Sequence, residues 1–393
     1  MPLRYLTAGE SHGPVLTAIL EGLPAGLEIT VEMIATQLAR RRRGYGAGPR
    51  MHIETDRVHI LGGVLAGVST GAPVAIQIEN EDHKKWLGKD IPAFTIPRPG
   101  HADLTAAIKY GYRDLRPSLE RASARETAAR VAVGAICRQF LSHFNIELGG
   151  YVRSIGEITA NVDGMALVER ARAAEGNDVR VPDIEAAARI RERIEEIIKQ
   201  GDTLGGTIEI FALGLPPGLG SHVQWDRRLD ARLGAAVLGV QAIKGIEFGT
   251  AFDNTKRRGT EVHDAIRLDG DQLLRTSNRA GGLEGGITSG MPMLLRAAMK
   301  PIATTLTPQK TVDLLTGEEV PTQYERSDFC PVPRAVPILE AVVAYVLADA
   351  LMEKLGGDSL NEMTPRFEQL RRARLSDLDI NGSPQRFWPG EID

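Results

Sequence analysis

The chain has 393 residues, 42% of them hydrophobic, and a formal net charge of -4 at pH 7, which is enough for one large or two ordinary domains with a sizeable core. The acidic balance argues against general affinity for nucleic acid, and only two cysteines, Cys137 and Cys330, exclude a disulfide framework or a cysteine-based zinc site. Apolar runs such as 342–351 are broken by charge before the ~20 residues a bilayer span needs, and no basic-then-apolar secretory leader is visible, so a reducing cytoplasmic compartment is expected.

Residues 3–7 and 15–21 read as short strands flanking the turn Gly9-Glu10-Ser11-His12-Gly13, which sets His12 at a hairpin tip. Thr30 is a cap for a helix to about Arg42, with Val31, Ile34, Ala35 and Leu38 on one face, stopped by Gly44-Tyr45-Gly46. Strand-like pieces follow at 57–61 and 73–79, joined by a Gly/Ser/Thr turn. The loop 80–100 is charged, proline-rich and too long for an idle connection. It ends in a second glycine-flanked histidine, Arg98-Pro99-Gly100-His101-Ala102-Asp103.

The spacing predicts an alanine-rich helix over 118–144 capped by Ser118, a charged surface helix over 182–200, a strand over 207–213 and a helix over 225–243 with Leu229, Leu233, Ala236 and Val240 inward. A diglycine loop, Gly281 to Gly286, precedes a strand over 291–298, and 336–354 reads as the last core helix. Residues 357–393 read as a polar tail, weakly helical or disordered, behind a single catalytic domain over 1–356. Intermixed strands and helices without regular βαβ spacing predict an α+β fold with antiparallel sheets.

Arginine dominates the cations, 37 against 10 lysines, and its planar fork suits carboxylate and phosphate. Arg40 to Arg43 close a helix, where cations are favoured. Neighbours diverge by about 100°, so one or two at most can face a single cavity, and Arg41 is the choice. Arg121 and Arg125, four apart on the predicted helix, share a face. Glu120 and Glu126 offer plain ion-pair partners, yet Ser123 and two alanines between the cations leave room for an anion. Glycine beside His12 and His101 lets a ligand approach, and imidazole titrates near neutral pH.

The segments GESHG, RPGHAD, ERASARETAARVAVGA, GGLEGG, KPIAT and ERSD stand in the order that marks chorismate synthases, and the chain resembles that family from about residue 1 to 356. The resemblance implies a β-α-β sandwich in which antiparallel sheets enclose core helices, usually assembled as a homotetramer. It implies a lyase that converts 5-enolpyruvylshikimate 3-phosphate to chorismate by 1,4-anti elimination of phosphate, with reduced FMN required but not consumed. His101 then protonates the departing phosphate, His12 holds a proton against the flavin, and Asp328 supports proton removal at flavin N5.

By the same resemblance FMN contacts fall on Arg121, Ala122, Ser123, Gln241, Ala242, Gly285, Lys300, Pro301, Ile302, Ala303, Thr304 and Arg326. Substrate or NADP contacts fall on Arg41, Ala47, Arg50, Arg98 and Arg125. No metal, membrane or nucleic acid is implied. NADPH is a candidate reductant, with a separate flavin reductase as the other source of reduced FMN. Two positions depart from the family: Ala47 where arginine is common, with Arg50 or Arg43 as substitutes, and Ala122 where serine is common. Two other readings stay open, an anion- or RNA-binding protein without chemistry and an ordinary flavin oxidoreductase.

Overall fold

The structure, a computed structural model, describes residues 2–48 and 53–384. Two antiparallel sheets enclose a layer of helices. In the first sheet, β1 (Arg4–Ala8) pairs with β2 (Val15–Glu21), and β3 (Val58–Gly62) closes on β4 (Val74–Glu79), in the order β1-β2-β4-β3. The period of two decides which face is core: Leu16, Ala18 and Leu20 of β2 and Val74, Ile76 and Ile78 of β4 are all buried. The β1–β2 register runs from Arg4 opposite Glu21 to Ala8 opposite Thr17. Gly9 begins the connection with φ +108°, and a Cβ there would stand 2.5 Å from the Val15 carbonyl oxygen. The turn carrying His12 is thereby held at the sheet's end.

Helix α1 (Val31–Arg42) starts at Thr30, whose Oγ1 accepts the Met33 N–H at 3.2 Å. Its buried residues are Ile34, Leu38 and Arg41, a 4-then-3 spacing. Arg41 therefore continues an apolar stripe, and that is why one arginine of the run points inward. Helices α2 (Asp103–Tyr110) and α3 (Arg116–Ala122) follow, then a short 3₁₀ turn, Ala124–Glu126, and α4 (Thr127–His143). After α4 come β5 (Glu147–Ile155), β6 (Ile158–Thr159), α5 (Leu167–Glu175), α6 (Ile184–Gln200), β7 (Gly206–Leu213), α7 (Leu229–Leu238), β8 (Ile243–Phe248), β9 (Met293–Met299) and α8 (Val332–Leu355). The second sheet has the order β8-β9-β7-β5-β6.

Helix α4 packs on β2 and β4, α8 packs on β5 and β7, and the two helices pack on each other. Gly134 is what lets them meet, since a Cβ there would stand 2.3 Å from that of Ala341. Helix α8 is long and apolar enough to cross a bilayer by length and composition, but 89% of its most apolar window is buried inside the protein. It is the core of the sandwich, and the α+β expectation holds.

The helix expected over 118–144 is two helices. Ser123 adopts an extended conformation, φ -61° and ψ 140°, which ends α3, and its Oγ accepts the Arg125 N–H at 3.3 Å. Ser118 lies inside α3 and caps nothing; its buried hydroxyl has no partner among the described residues. Arg121 and Arg125 consequently do not share a face. The helix expected over 225–243 is a 3₁₀ turn, Trp225–Arg227, plus α7, which stops at Gly239. Helix α8 begins four residues earlier than expected, with Pro333 in its first turn. Within the polar tail, helix α9 (Leu360–Glu368) buries Leu360 and Met363 and sets Phe367 on Phe144, ring centroids 4.9 Å apart.

Candidate active site

A cavity of about 840 Å³ opens where the GESHG turn, loop 80–100, the α3–α4 break, the β8 edge and the segment 325–334 converge. This lies in the upper part of the range for small-molecule sites, roughly 300–1,000 Å³. The break at Ser123 is tied to the GESHG turn: the Ser11 N–H donates to the Glu120 carbonyl at 3.2 Å, and the Ser11 hydroxyl donates to Ser123 Oγ at 3.0 Å. Asn80 clamps the turn from loop 80–100, its amide donating to the Gly13 carbonyl at 2.8 Å.

Both histidines line this cavity. His12 is gripped twice by Glu120, through its backbone N–H and its Nδ1, each at 2.7 Å. Its ring lies on Trp86 with centroids 4.4 Å apart, and Nε2 is 3.9 Å from Asp82. Burial alone would raise the Glu120 carboxyl, but the His12 hydrogen bonds and charge hold it below its ordinary value. His101 pairs through Nδ1 with Asp103 at 2.6 Å. Asp103 is wholly buried, yet hydrogen bonds from His101 and Arg98 outweigh that burial and hold its carboxyl well below the usual range. An ionised carboxylate only accepts, so Nδ1–H is the donor in both pairs.

Among the described residues, eight lysines and arginines line the cavity against four carboxylates, although the protein as a whole is acidic. The excess calls for an anionic guest. Arg41 is 1% exposed, donates through Nε to Thr127 Oγ1 at 2.9 Å and through Nη2 to the Ala124 carbonyl at 2.8 Å, and leaves Nη1 without a partner among the described residues. Burial, reinforced by the neighbouring Arg334 and Arg125, pushes its pKa down to about 9 against the pull of Asp56 and Asp328. Asp328 accepts the Gly48 N–H at 2.7 Å and pairs with Arg334, whose Nε in turn donates to the Arg41 carbonyl at 3.2 Å.

Of the residues expected at the site, His12, His101, Asp328, Arg41, Arg98, Ala122, Ser123, Arg125, Gln241, Ala242, Lys300, Ile302, Ala303, Thr304 and Arg326 all line the cavity. Arg125 lies there with its donors already taken by Asp56, Asn80 and the Glu79 carbonyl, so it braces the wall. Arg121 does not reach the cavity. In the last turn of α3, before the Ser123 break, it donates to the Thr7 and Gly9 carbonyls and lines a separate cleft with Arg130 and Arg232. Gly285, in the tight turn between the short strands Leu283–Glu284 and Ile287–Thr288, does not line the cavity, and neither do Ala47 and Pro301. Arg43, suggested as a substitute for the missing arginine, is exposed and pairs with Glu175 at 3.3 Å. Arg50 lies outside the described residues.

The family model "Chorismate synthase" matches residues 3–352. The chain is 52% identical over 378 residues to a protein named chorismate synthase from Trichlorobacter lovleyi, covering 92% of this chain and 96% of that one. It is 50% identical over 384 residues to the one from Aquifex aeolicus, covering 93% and 96%. A structure titled "Crystal Structure of Chorismate Synthase" superposes with a TM-score of 0.78 at 44% identity, covering 94% of this chain and 97% of that chain. The chain belongs to the chorismate synthase family. It is therefore a carbon–oxygen lyase of the shikimate pathway.

The chorismate synthase motifs did not announce every wall of the cavity. Asp82, Lys85 and Trp86 come from loop 80–100, whose length was the signal, and Trp86 is one of only three tryptophans. Arg334 follows ERSD by six residues and is locked to it through Asp328. Glu120 and Asp103 lie inside quoted motifs, each beside a residue already singled out. Among the described residues, no group of three or more His, Cys, Asp or Glu is placed to hold a metal ion.

Proposed function

We propose that this enzyme converts 5-enolpyruvylshikimate 3-phosphate to chorismate and inorganic phosphate by 1,4-anti elimination, dependent on reduced FMN and without net redox change. The observation that carries the reading is one cavity in which two carboxylate-paired histidines face an excess of cations. The substrate's phosphate and two carboxylates match that excess.

The residues present fit a flavin. Trp86, Leu119, Ala122, Ile302 and Ala303 offer apolar surface for a ring system, and Ser123, Lys300 and Arg326 offer donors for a phosphate. The buried Gln241 Oε1 has no partner among the described residues and is an acceptor for a ring N–H. Reduced FMN, when bound, supplies the electron density that makes the C–O bond easier to break. Arg41, with its unpaired Nη1, neutralises a substrate anion, and Arg98, its charge engaged by Asp103, lines the same wall. His101 delivers a proton to the leaving phosphate, His12 keeps a proton at the flavin's edge, and Asp328, anchored by Gly48 and Arg334, supports removal of the substrate proton.

The chain acts as one catalytic unit over 1–356, in the cytoplasm and as a homotetramer, with reduced flavin supplied through NADPH or by a separate reductase. An RNA-binding role is less well supported, because these cations are enclosed in a cavity suited to a small anion rather than spread as a surface stripe. The test is anaerobic turnover with photoreduced FMN: many equivalents of phosphate released per flavin, while the flavin spectrum stays reduced. Flavin oxidised in step with product would instead make this an oxidoreductase.

A further inference from the structure

We infer that Asp103 is a positioning residue for the elimination: fixed by Arg98, its carboxylate holds the Nδ1–H of His101 so that Nε2 is the nitrogen presented to the leaving phosphate. The inference rests on the proposed role of His101 as proton donor. Arg98 approaches the carboxylate from two sides, Nε to Oδ2 at 2.8 Å and Nη2 to Oδ1 at 3.0 Å, and its backbone N–H adds a third bond to Oδ2 at 3.1 Å. His101 Nδ1 takes the remaining place on Oδ1 at 2.6 Å. A carboxylate has about four lone-pair sites, and here all are spoken for.

This filling excludes other duties. Asp103 is 0% exposed and does not line the cavity, so it does not act on the ligand directly. Although it is the first residue of α2, it accepts no bond from an α2 N–H, so it does not cap that helix. Arg98 Nη2 also stands 3.1 Å from Nδ1 and 3.3 Å from Nε2. Near-equal distances put it off the axis of either ring lone pair, since the two diverge. The Nδ1 direction belongs to Asp103 and leaves Nε2 for a ligand.

In the reacting complex the imidazolium carries both protons. As the C–O bonding pair departs with phosphate, the Nε2 proton passes to a phosphate oxygen and His101 is left as the neutral Nδ1–H tautomer. Asp103 stays ionised throughout. Without it the ring is free to rotate, which misplaces the donor, and the imidazolium that gives up the Nε2 proton loses its paired carboxylate.

The test compares Asp103→Asn, His101→Gln and the double variant in the full chain, with reduced FMN and anaerobic turnover. Asp103→Asn is expected to lower kcat by about 10²–10⁴ with KM changed by less than about threefold, and to cause no further loss when added to His101→Gln. Asp103→Glu is expected to recover part of the rate. An equal loss in both backgrounds would mean a structural role and overturn the inference. So would a normal kcat for Asp103→Asn beside a slow His101→Gln. His101→Gln at wild-type speed would instead remove the role of His101, a result separable from the others. Should Asp103→Asn not fold, ¹⁵N-histidine NMR of the wild-type protein decides, the His101 signal being the one absent from His101→Gln: neutral Nδ1–H is expected, and neutral Nε2–H would overturn the inference.

Discussion

The wholly buried carboxylate of Asp82 receives the guanidinium of Arg326 at 2.8 Å, joining the start of loop 80–100 to a segment 244 residues later. Lys85 reaches the same carboxylate at 3.0 Å. Arg326, which we propose meets a flavin phosphate, is thus aimed by a partner that no motif named. Charge-assisted bonds of this kind contribute roughly 1.5–3 kcal/mol, so Asp82→Asn is expected to raise the FMN dissociation constant by about one to two orders of magnitude. Flavin fluorescence titration measures it, and an unchanged constant would separate Arg326 from the flavin.

Arg41 illustrates a site held at the expense of stability. It is a buried cation beside two others, with one nitrogen unpaired. Arg41→Met removes that charge from the core, so the ligand-free protein is expected to melt no lower than wild type. Substrate should then lose most of the thermal shift it gives the wild type, because the anion's partner is gone. Differential scanning fluorimetry with and without substrate reads both; a full shift in the variant would place the anion elsewhere.

The carboxyls of Glu120 and Asp103 titrate lower in the folded chain than in the unfolded one. The unfolded chain therefore binds more protons in acid, and stability rises with pH there. Their contribution is complete above the ordinary carboxylate pKa of about 4 and is lost as pH falls further. Thermal midpoints should drop through that window, and less steeply in Glu120→Gln. Identical acid limbs would show that the His12–Glu120 pair does not stabilise the fold.

Met363, on the inner side of α9, is fully buried. Met363→Ala should cost about 2–5 kcal/mol, as for other buried long side chains, measured by urea unfolding. A loss near zero would make α9 dispensable to the core.

Much of the sandwich was legible because its signals are local. Thr30 announces α1, and the alternation in β2 and β4 announces the first sheet's buried face. What escaped depends on contacts far apart in sequence. Nothing within 118–144 reveals that Ser123 breaks the helix, because the break is completed by Ser11, 112 residues away. That single misreading put Arg121 beside Arg125, whereas the structure sends one to an outer cleft and buries the other. In α8 the expected start at 336 came too late, since Pro333 lies in the first turn and Pro337 inside the helix. The histidines and their motifs were visible from sequence; their carboxylate partners became meaningful only once the distances were known.

The central claim is that one cavity takes both flavin and substrate between His12 and His101. A crystal structure of the chain with reduced FMN and 5-enolpyruvylshikimate 3-phosphate tests it most directly. We expect the two ligands in contact within the cavity, the substrate phosphate in hydrogen-bond reach of His101 and the flavin edge at His12. Either ligand bound outside that cavity, or the two histidines facing different chambers, would contradict the account.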